Sequence, residues 1–352
     1  MTSILILGAS YGSLLGMKLA LAGHDVTLVC LPAERDLINR DGAVVRMPVR
    51  GRDGLVTLRS AEAPGSLRAC GTEVDPTGFD LIGLAMQEPQ YRADGVRDLI
   101  ARIAASGRPA MSIMNMPPLA YLRRLPGLDH DSLRPAYADP TIWDAFDPAA
   151  ITLASPDPQA FRPPEEGPNV LQVSLPTNFK VARFAGEAET AMLAALDADI
   201  AAIRHDPGDG IQVDLPVKLK LHDSVYVPLA KWAMLLTGNY RCVTPTGPRP
   251  IAEAVHADPA LSAEIYAWVQ DVCVAIGADR ADLVPFEKYA AAAQGLAKPS
   301  SAARALYAGA PAIERVDKLV QIIARAHGMA HPVVDETVAL VDARLAESLA
   351  AA

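Results

Sequence analysis

The first thirty residues constrain the fold most tightly. Ser3-Ile-Leu-Ile-Leu7 is an apolar run of strand length, and Gly8, Gly12 and Gly16 then punctuate the chain at four-residue spacing. Met17 to Ala22 has helical character and stops at Gly23, after which Asp25-Val-Thr-Leu-Val-Cys30 is again a strand. Strand, glycine turn, helix and strand in this order make one βαβ unit. Such a unit commits the chain to a parallel sheet covered by helices, because a parallel neighbour can only be reached by a crossover.

The alternation continues with a strand at Phe79 to Ala85, a helix near Tyr91 to Ala105 and a strand at Ala110 to Met114. Residues 126 to 168 are rich in Pro and Asp, and Phe161-Arg-Pro-Pro-Glu-Glu-Gly-Pro168 has the composition of a surface loop or linker. A strand near Val170 to Leu175 and a helix near Ala188 to Ala202 follow. His205-Asp-Pro-Gly-Asp-Gly210 is the best candidate boundary, and from about Pro216 the pattern is helical with breaks at Thr244 to Pro250, Pro299 and Gly328. The expectation is an α/β Rossmann-type N-terminal domain over residues 1–207, followed by an all-α C-terminal domain over residues 208–352. Only 5% of the residues are aromatic, so both cores must be filled by Ala, Leu, Val and Ile, as suits helices on a parallel sheet.

The same composition narrows function. With 41 acids against 32 bases, net −9, the chain lacks the basic excess that polynucleotide binding requires. Its apolar start has no basic flank and is interrupted by Lys18, His24 and Asp25, so neither a signal peptide nor a membrane span is expected. The four cysteines are scattered without CxxC spacing and the histidines form no HxxxH cluster, which points to reduced thiols, no metal and a cytoplasmic location.

The glycine turn is the strongest functional signal. Where a first strand bends into a first helix, backbone N–H groups at the helix N-terminus can cradle a pyrophosphate, and glycine permits the approach. Gly8, Ala9, Ser10, Tyr11, Gly12 and Ser13 are therefore candidate dinucleotide-binding residues. The G-x-G-x-x-G pattern is not met in full, because Ser10 stands where the second glycine belongs; the competing reading is glycines for helix–sheet packing alone. After the second strand comes Cys30-Leu-Pro-Ala-Glu-Arg35, with no acid at the strand tip and Arg35 close behind. This favours NADP over NAD, while Glu34 keeps NAD open.

With these motifs in place the chain resembles the ketopantoate reductase (2-dehydropantoate 2-reductase) family, whose C-terminal half is like that of 6-phosphogluconate dehydrogenase. The resemblance rests on five stations in order: Ile4 to Cys30; Asp80-Leu-Ile-Gly-Leu-Ala-Met-Gln87; Ile113-Met-Asn115-Met; Leu229-Ala-Lys231 through Asn239; and Pro299-Ser-Ser301 with Glu314-Arg-Val-Asp317. It implies an NADP-dependent oxidoreductase acting on a small 2-oxo or 2-hydroxy acid. Lys231 would be the general acid and Glu314 would hydrogen-bond the substrate hydroxyl and orient the lysine. Asn239 and Ser301 would bind the polar end of the substrate, Asn115 would sit between cofactor and substrate, and Gln87 would touch the cofactor.

Other readings stay open at these positions. Lys218 and Lys220 compete with Lys231, Glu314 has Lys318 at i,i+4, and Ser301 is equally suited to capping a helix. His222-Asp223 invites a dyad, as an opine-type, imine-reducing dehydrogenase would use. Several departures fall near the expected substrate or nicotinamide: Gln87 replaces the family lysine, Leu235 replaces an asparagine of the lysine helix, Asp214 to Pro228 is an insertion, and a Trp143-Asp-Ala-Phe146 stretch replaces glycine-rich strands. They leave room for a different substrate, or for a nucleotide-binding protein without catalysis. A homodimer through the helical half is the expected assembly.

Overall fold

The computed structural model describes residues 1–351. The chain divides into two compact units: residues 1–86, 90–121 and 142–225 form the first, and residues 87–89, 122–141 and 226 onward form the second. The boundary expected near residue 208 therefore falls inside the first unit.

The first unit is built on an eight-stranded sheet. Its strands are β1 (Ser3–Leu7), β2 (Asp25–Val29), β5 (Ser66–Cys70), β6 (Leu81–Leu84), β7 (Ala110–Ile113), β8 (Ile151–Ser155), β11 (Phe179–Ala182) and β14 (Leu219–His222). They lie in the order β14-β11-β8-β7-β6-β1-β2-β5. All neighbours are parallel except β8 and β11, so the sheet is mixed. β1, β6, β7 and β8 are buried almost throughout, which is why their sequences run apolar instead of alternating. Helices α1 (Tyr11–Leu21), α2 (Pro32–Asp41), α3 (Val96–Ser106) and α6 (Glu187–Ala202) flank it.

A second sheet of four strands belongs to the same unit: β3 (Val44–Pro48), β4 (Leu55–Arg59), β9 (Gln159–Phe161) and β10 (Val170–Leu175), in the order β4-β3-β10-β9. Val45, Met47, Leu58, Leu171 and Val173 from this sheet share one core with Leu14, Met17 and Leu19 of α1 and with Ile4 and Ile6 of β1. Helix α1 is thus enclosed on all sides, and Gly12 to Ala20 are all buried.

One expectation is made more specific here and one is corrected. The Pro- and Asp-rich stretch 126–168 contains β8 in the middle of the large sheet and β9 in the small one, and the part after Phe161 is a loop within the first unit. The stretch after Pro216 is not helical at its start: β14 pairs in parallel with β11, Phe179 opposite Leu219, and so carries the first unit to Val225. The short hairpin β12 (Arg204–His205) and β13 (Val213–Asp214) precedes it.

The chain passes through a single turn, α4 (Leu119–Leu122), into the second unit, which holds α5 (His130–Leu133), α7 (Lys231–Met234), α8 (Ile251–His256), α9 (Pro259–Ala275), α10 (Phe286–Ala293), α11 (Ser301–Tyr307), α12 (Val316–Ala326) and α13 (Pro332–Ala351). α12 buries Val316, Leu319, Val320, Ile323 and Ala324, the i, i+3, i+4, i+7, i+8 stripe of a helix with one face on a core. Among the described residues no helix is long and apolar enough to cross a membrane.

Candidate active site

The sequence-derived site residues fall into two groups, one in each unit. In the first unit they gather at the carboxyl ends of β1, β2 and β7. β2 lies on one side of β1 and β6 on the other, so the strand order reverses direction at β1, where open α/β sheets bind ligands.

Gly8 follows β1 at this point. Its N–H donates to the Val29 carbonyl at 2.9 Å, and its φ of +95° is one that residues with a side chain rarely adopt. A Cβ here would stand 2.6 Å from Met86 Cγ and 2.8 Å from the Ala85 carbonyl, so only glycine lets the turn pass the end of β6. Gly12 and Gly16 serve packing: a Cβ on Gly12 would meet Ile6 Cγ2 at 3.0 Å and one on Gly16 would meet Val26 Cγ1 at 3.1 Å. Ser13 Oγ donates to the Ala9 carbonyl at 2.6 Å and tightens the turn. Ser10 is exposed at the N-cap of α1 and makes no side-chain capping bond, and the first helical turn contains no acid. An uncapped N-terminus with its positive dipole end unopposed is chemically suited to an anion, and in this respect the residues present fit a dinucleotide pyrophosphate.

At the end of β2, Arg35 Nε bonds its neighbour Asp36 at 2.9 Å near the surface. Glu34, only 7% exposed, pairs with Arg162, and Arg162 Nη2 also donates to the Ala9 carbonyl at 3.1 Å. Sequence reasoning missed this arginine, because its segment had the composition of a linker. Burial lowers the pKa of the Arg162 guanidinium. Asn115 is half-buried two residues beyond β7.

In the second unit, Lys231 is half-buried at the first position of α7. The helix then widens into a π-turn over Leu235–Asn239 and tightens to a 3₁₀ turn over Tyr240–Cys242. π-Turns inside helices are frequent at functional sites. The Tyr289 hydroxyl donates to the Met234 carbonyl at 3.0 Å, and a Cβ on Gly238 would overlap that hydroxyl. The next residue, Asn239, is half-buried, and its carbonyl accepts from Ser300 Oγ at 2.7 Å. The cap of α11 is this Ser300, which also accepts from the Ala303 N–H at 3.1 Å, so Ser301 is not the capping residue and stands exposed beside it. The buried Tyr240 hydroxyl donates to the Glu314 carbonyl at 2.6 Å and accepts from the Val316 N–H at 3.0 Å, fixing Glu314 against the lysine segment. Glu314 is 7% exposed, while Lys318 bonds Asp342 at 2.7 Å. Gln87 is exposed just past β6.

The competing lysines and the dyad lie in the first unit. Lys218 pairs with Asp214 at 2.6 Å and Lys220 with Asp197 at 3.3 Å, both in the first unit. His222 ends β14 half-buried and Asp223 is exposed.

Taken over its whole length, the chain has the fold of the ketopantoate reductases. A 2-dehydropantoate 2-reductase from Methylococcus capsulatus superposes with a TM-score of 0.62 at 14% identity, covering 99% of this chain and 98% of that one. A D-mandelate dehydrogenase in a ternary structure with NADH and anilino(oxo)acetate gives 0.64 at 15% identity, with 99% of both chains covered. A dimeric ketopantoate reductase from Staphylococcus aureus gives 0.59 at 13% identity over 98% and 99%. No family model matches the sequence, and no curated protein matches it.

Proposed function

We propose that the protein is an NADP-dependent oxidoreductase that moves a hydride between the nicotinamide and a small 2-oxo or 2-hydroxy acid. The observation that carries this reading is the glycine turn at the switch point of the sheet, uncapped and free of acids in its first helical turn. The fold shared with 2-dehydropantoate reductase and with mandelate dehydrogenase supports the substrate class. The first unit takes the role of dinucleotide binding and the second that of catalysis.

When bound, the cofactor supplies or accepts the hydride. Every other task falls to residues of the chain. The N–H groups of the Ala9-Ser10-Tyr11-Gly12-Ser13 turn hold the pyrophosphate, Arg35 faces the 2′-phosphate, and Gln87 and Asn115 border the nicotinamide. Lys231 Nζ donates the proton that neutralises the oxygen left negative by reduction, a group that needs both a proton and nearby positive charge. Glu314 hydrogen-bonds the product hydroxyl and orients Lys231, and Asn239 and Ser301 hold the carboxylate end. A cytoplasmic homodimer is the proposed assembly.

The test is NADPH and NADH binding by fluorescence, followed by an NADPH-oxidation screen over 2-oxo acids with and without added amines. Lys231→Ala is expected to lower kcat by about 100-fold or more with NADPH affinity nearly intact. An unchanged kcat removes Lys231 from the mechanism, and turnover that requires an amine replaces this reading with the opine-type one.

A further inference from the structure

The segment after β9 joins the glycine turn to the small sheet. β9 is held antiparallel to β10, Gln172 opposite Phe161, so Arg162 is the first residue beyond the paired strand. The far end of the segment is fixed as well: Arg46 of β3 bonds Glu166 at 2.5 Å, and Asn169 Nδ2 donates to the Gly42 carbonyl at 2.8 Å. Between these anchors Arg162 reaches the turn, where Nη2 donates to the Ala9 carbonyl at 3.1 Å and contacts Glu34. Among the described residues no hydrogen-bond partner occupies its Nη1 and Nε. Arg35, the other cation in this region, already bonds Asp36. A chain of net −9 that binds an anionic cofactor must place positive charge locally, and Arg162 is the cation lying against the turn itself.

We infer that Arg162 is a pyrophosphate-binding residue of the dinucleotide site, supplied by the small sheet and held over the glycine turn by Glu34. This inference rests on the proposed dinucleotide function. An arginine anchored to the Ala9 carbonyl is next to the N–H groups that open α1, so it shares their phosphate and not the ribose 2′ position. Its remaining donors suit a two-point contact with phosphate oxygens. Glu34 keeps the guanidinium in place before the ligand arrives, which lowers the ordering cost of binding.

Dissociation constants for NADPH and NADH, measured by fluorescence on the full chain, test this directly. Arg162→Ala is expected to weaken both by the same factor, about 10-fold or more, measured well below a melting temperature that falls because Glu34 loses its partner. Arg162→Gln keeps hydrogen-bond donors for Ala9 and Glu34 but lacks the charge, and is expected to show a similar loss; it answers the question if the alanine variant does not fold. Unchanged affinities in the variants overturn the inference and leave the dinucleotide function standing. A loss confined to NADPH also overturns it, by moving Arg162 to the 2′-phosphate. Wild-type protein that binds neither cofactor overturns both together.

Discussion

Lys18 lies on α1 with none of its surface exposed, and its Nζ donates to the Pro216 carbonyl at 3.1 Å. The carbonyl is delivered by a loop whose Leu215 and Val217 are buried in the same core, Val217 at a φ of +63° that a β-branched residue rarely adopts. Burial brings the pKa of Lys18 down from 10.5 to about 7, assisted by the charge of Lys218 and opposed by Asp214. The sign follows from proton binding. Below pH 7 the amine is charged in both folded and unfolded chains, and the full cost of burying it is present. Between pH 7 and 10.5 the unfolded chain holds the extra proton, so this group makes stability rise with pH. Lys18→Met is therefore expected to stabilise the protein by about 5 kcal/mol at pH 6, less the roughly 1 kcal/mol of the lost hydrogen bond, and by progressively less toward pH 10. Urea melts of both proteins at pH 6, 7.5 and 9 check this; a gain that does not shrink with pH refutes it. In the sequence Lys18 is only a charge interrupting an apolar run. Its burial depends on the loop of Leu215 to Val217 closing over α1 from 198 residues away along the chain, which no local pattern encodes.

At the scale of elements, legibility tracks the range of the contacts that make them. β1, the first turn, β10 and α6 follow from local pattern, because periodicity and punctuation suffice to define them. β8 does not: its Ile-Thr-Leu-Ala-Ser sequence is short, and its place depends on pairing with β7 and β11 and on Thr152 Oγ1 donating to the Ala182 carbonyl at 2.6 Å. The π-turn is equally hidden, since the Tyr289 hydroxyl that sits against it comes from α10 and fits only because residue 238 is glycine. Lys231, Asn239 and Glu314 are candidates by resemblance alone, and nothing in the sequence pointed to Tyr240, which ties Glu314 to the lysine segment. Tyr240→Phe leaves the Glu314 carbonyl and the Val316 N–H without their shared partner in a buried setting. It is expected to cost about 1–3 kcal/mol in denaturant melts. If Glu314 acts on the substrate, the same change lowers kcat while leaving NADPH affinity unaltered, and a kcat equal to wild type at full folding separates Glu314 from the chemistry.

For the whole molecule, composition argues against polynucleotide binding but says nothing about where scarce positive charge is spent. The answer lies in long-range contacts: the small sheet carries Arg162 to the first βα turn, whereas Arg35, the cation visible in the sequence, sits beside Asp36. This arrangement sets two electrostatic effects against each other when an anionic dinucleotide binds. The net charge of −9 repels the ligand through solvent over many ångströms, and salt weakens that repulsion. In the proposed site, contacts of the phosphates with Arg162, Arg35 and the α1 N-terminus would act at hydrogen-bonding distance, and added salt would weaken those too by competing with ion pairing. At 0.15 M salt the screening length is about 8 Å, so most of the diffuse repulsion has already been lost and the contact terms remain. Raising ionic strength from 0.15 to 0.5 M is therefore expected to increase the NADPH dissociation constant of wild type several-fold, and to do so less in Arg162→Ala, where one contact cation is gone. Titrations at four salt concentrations measure both slopes. An affinity that improves with salt would mean that the overall negative charge governs binding and that the cations at the turn do not reach the ligand.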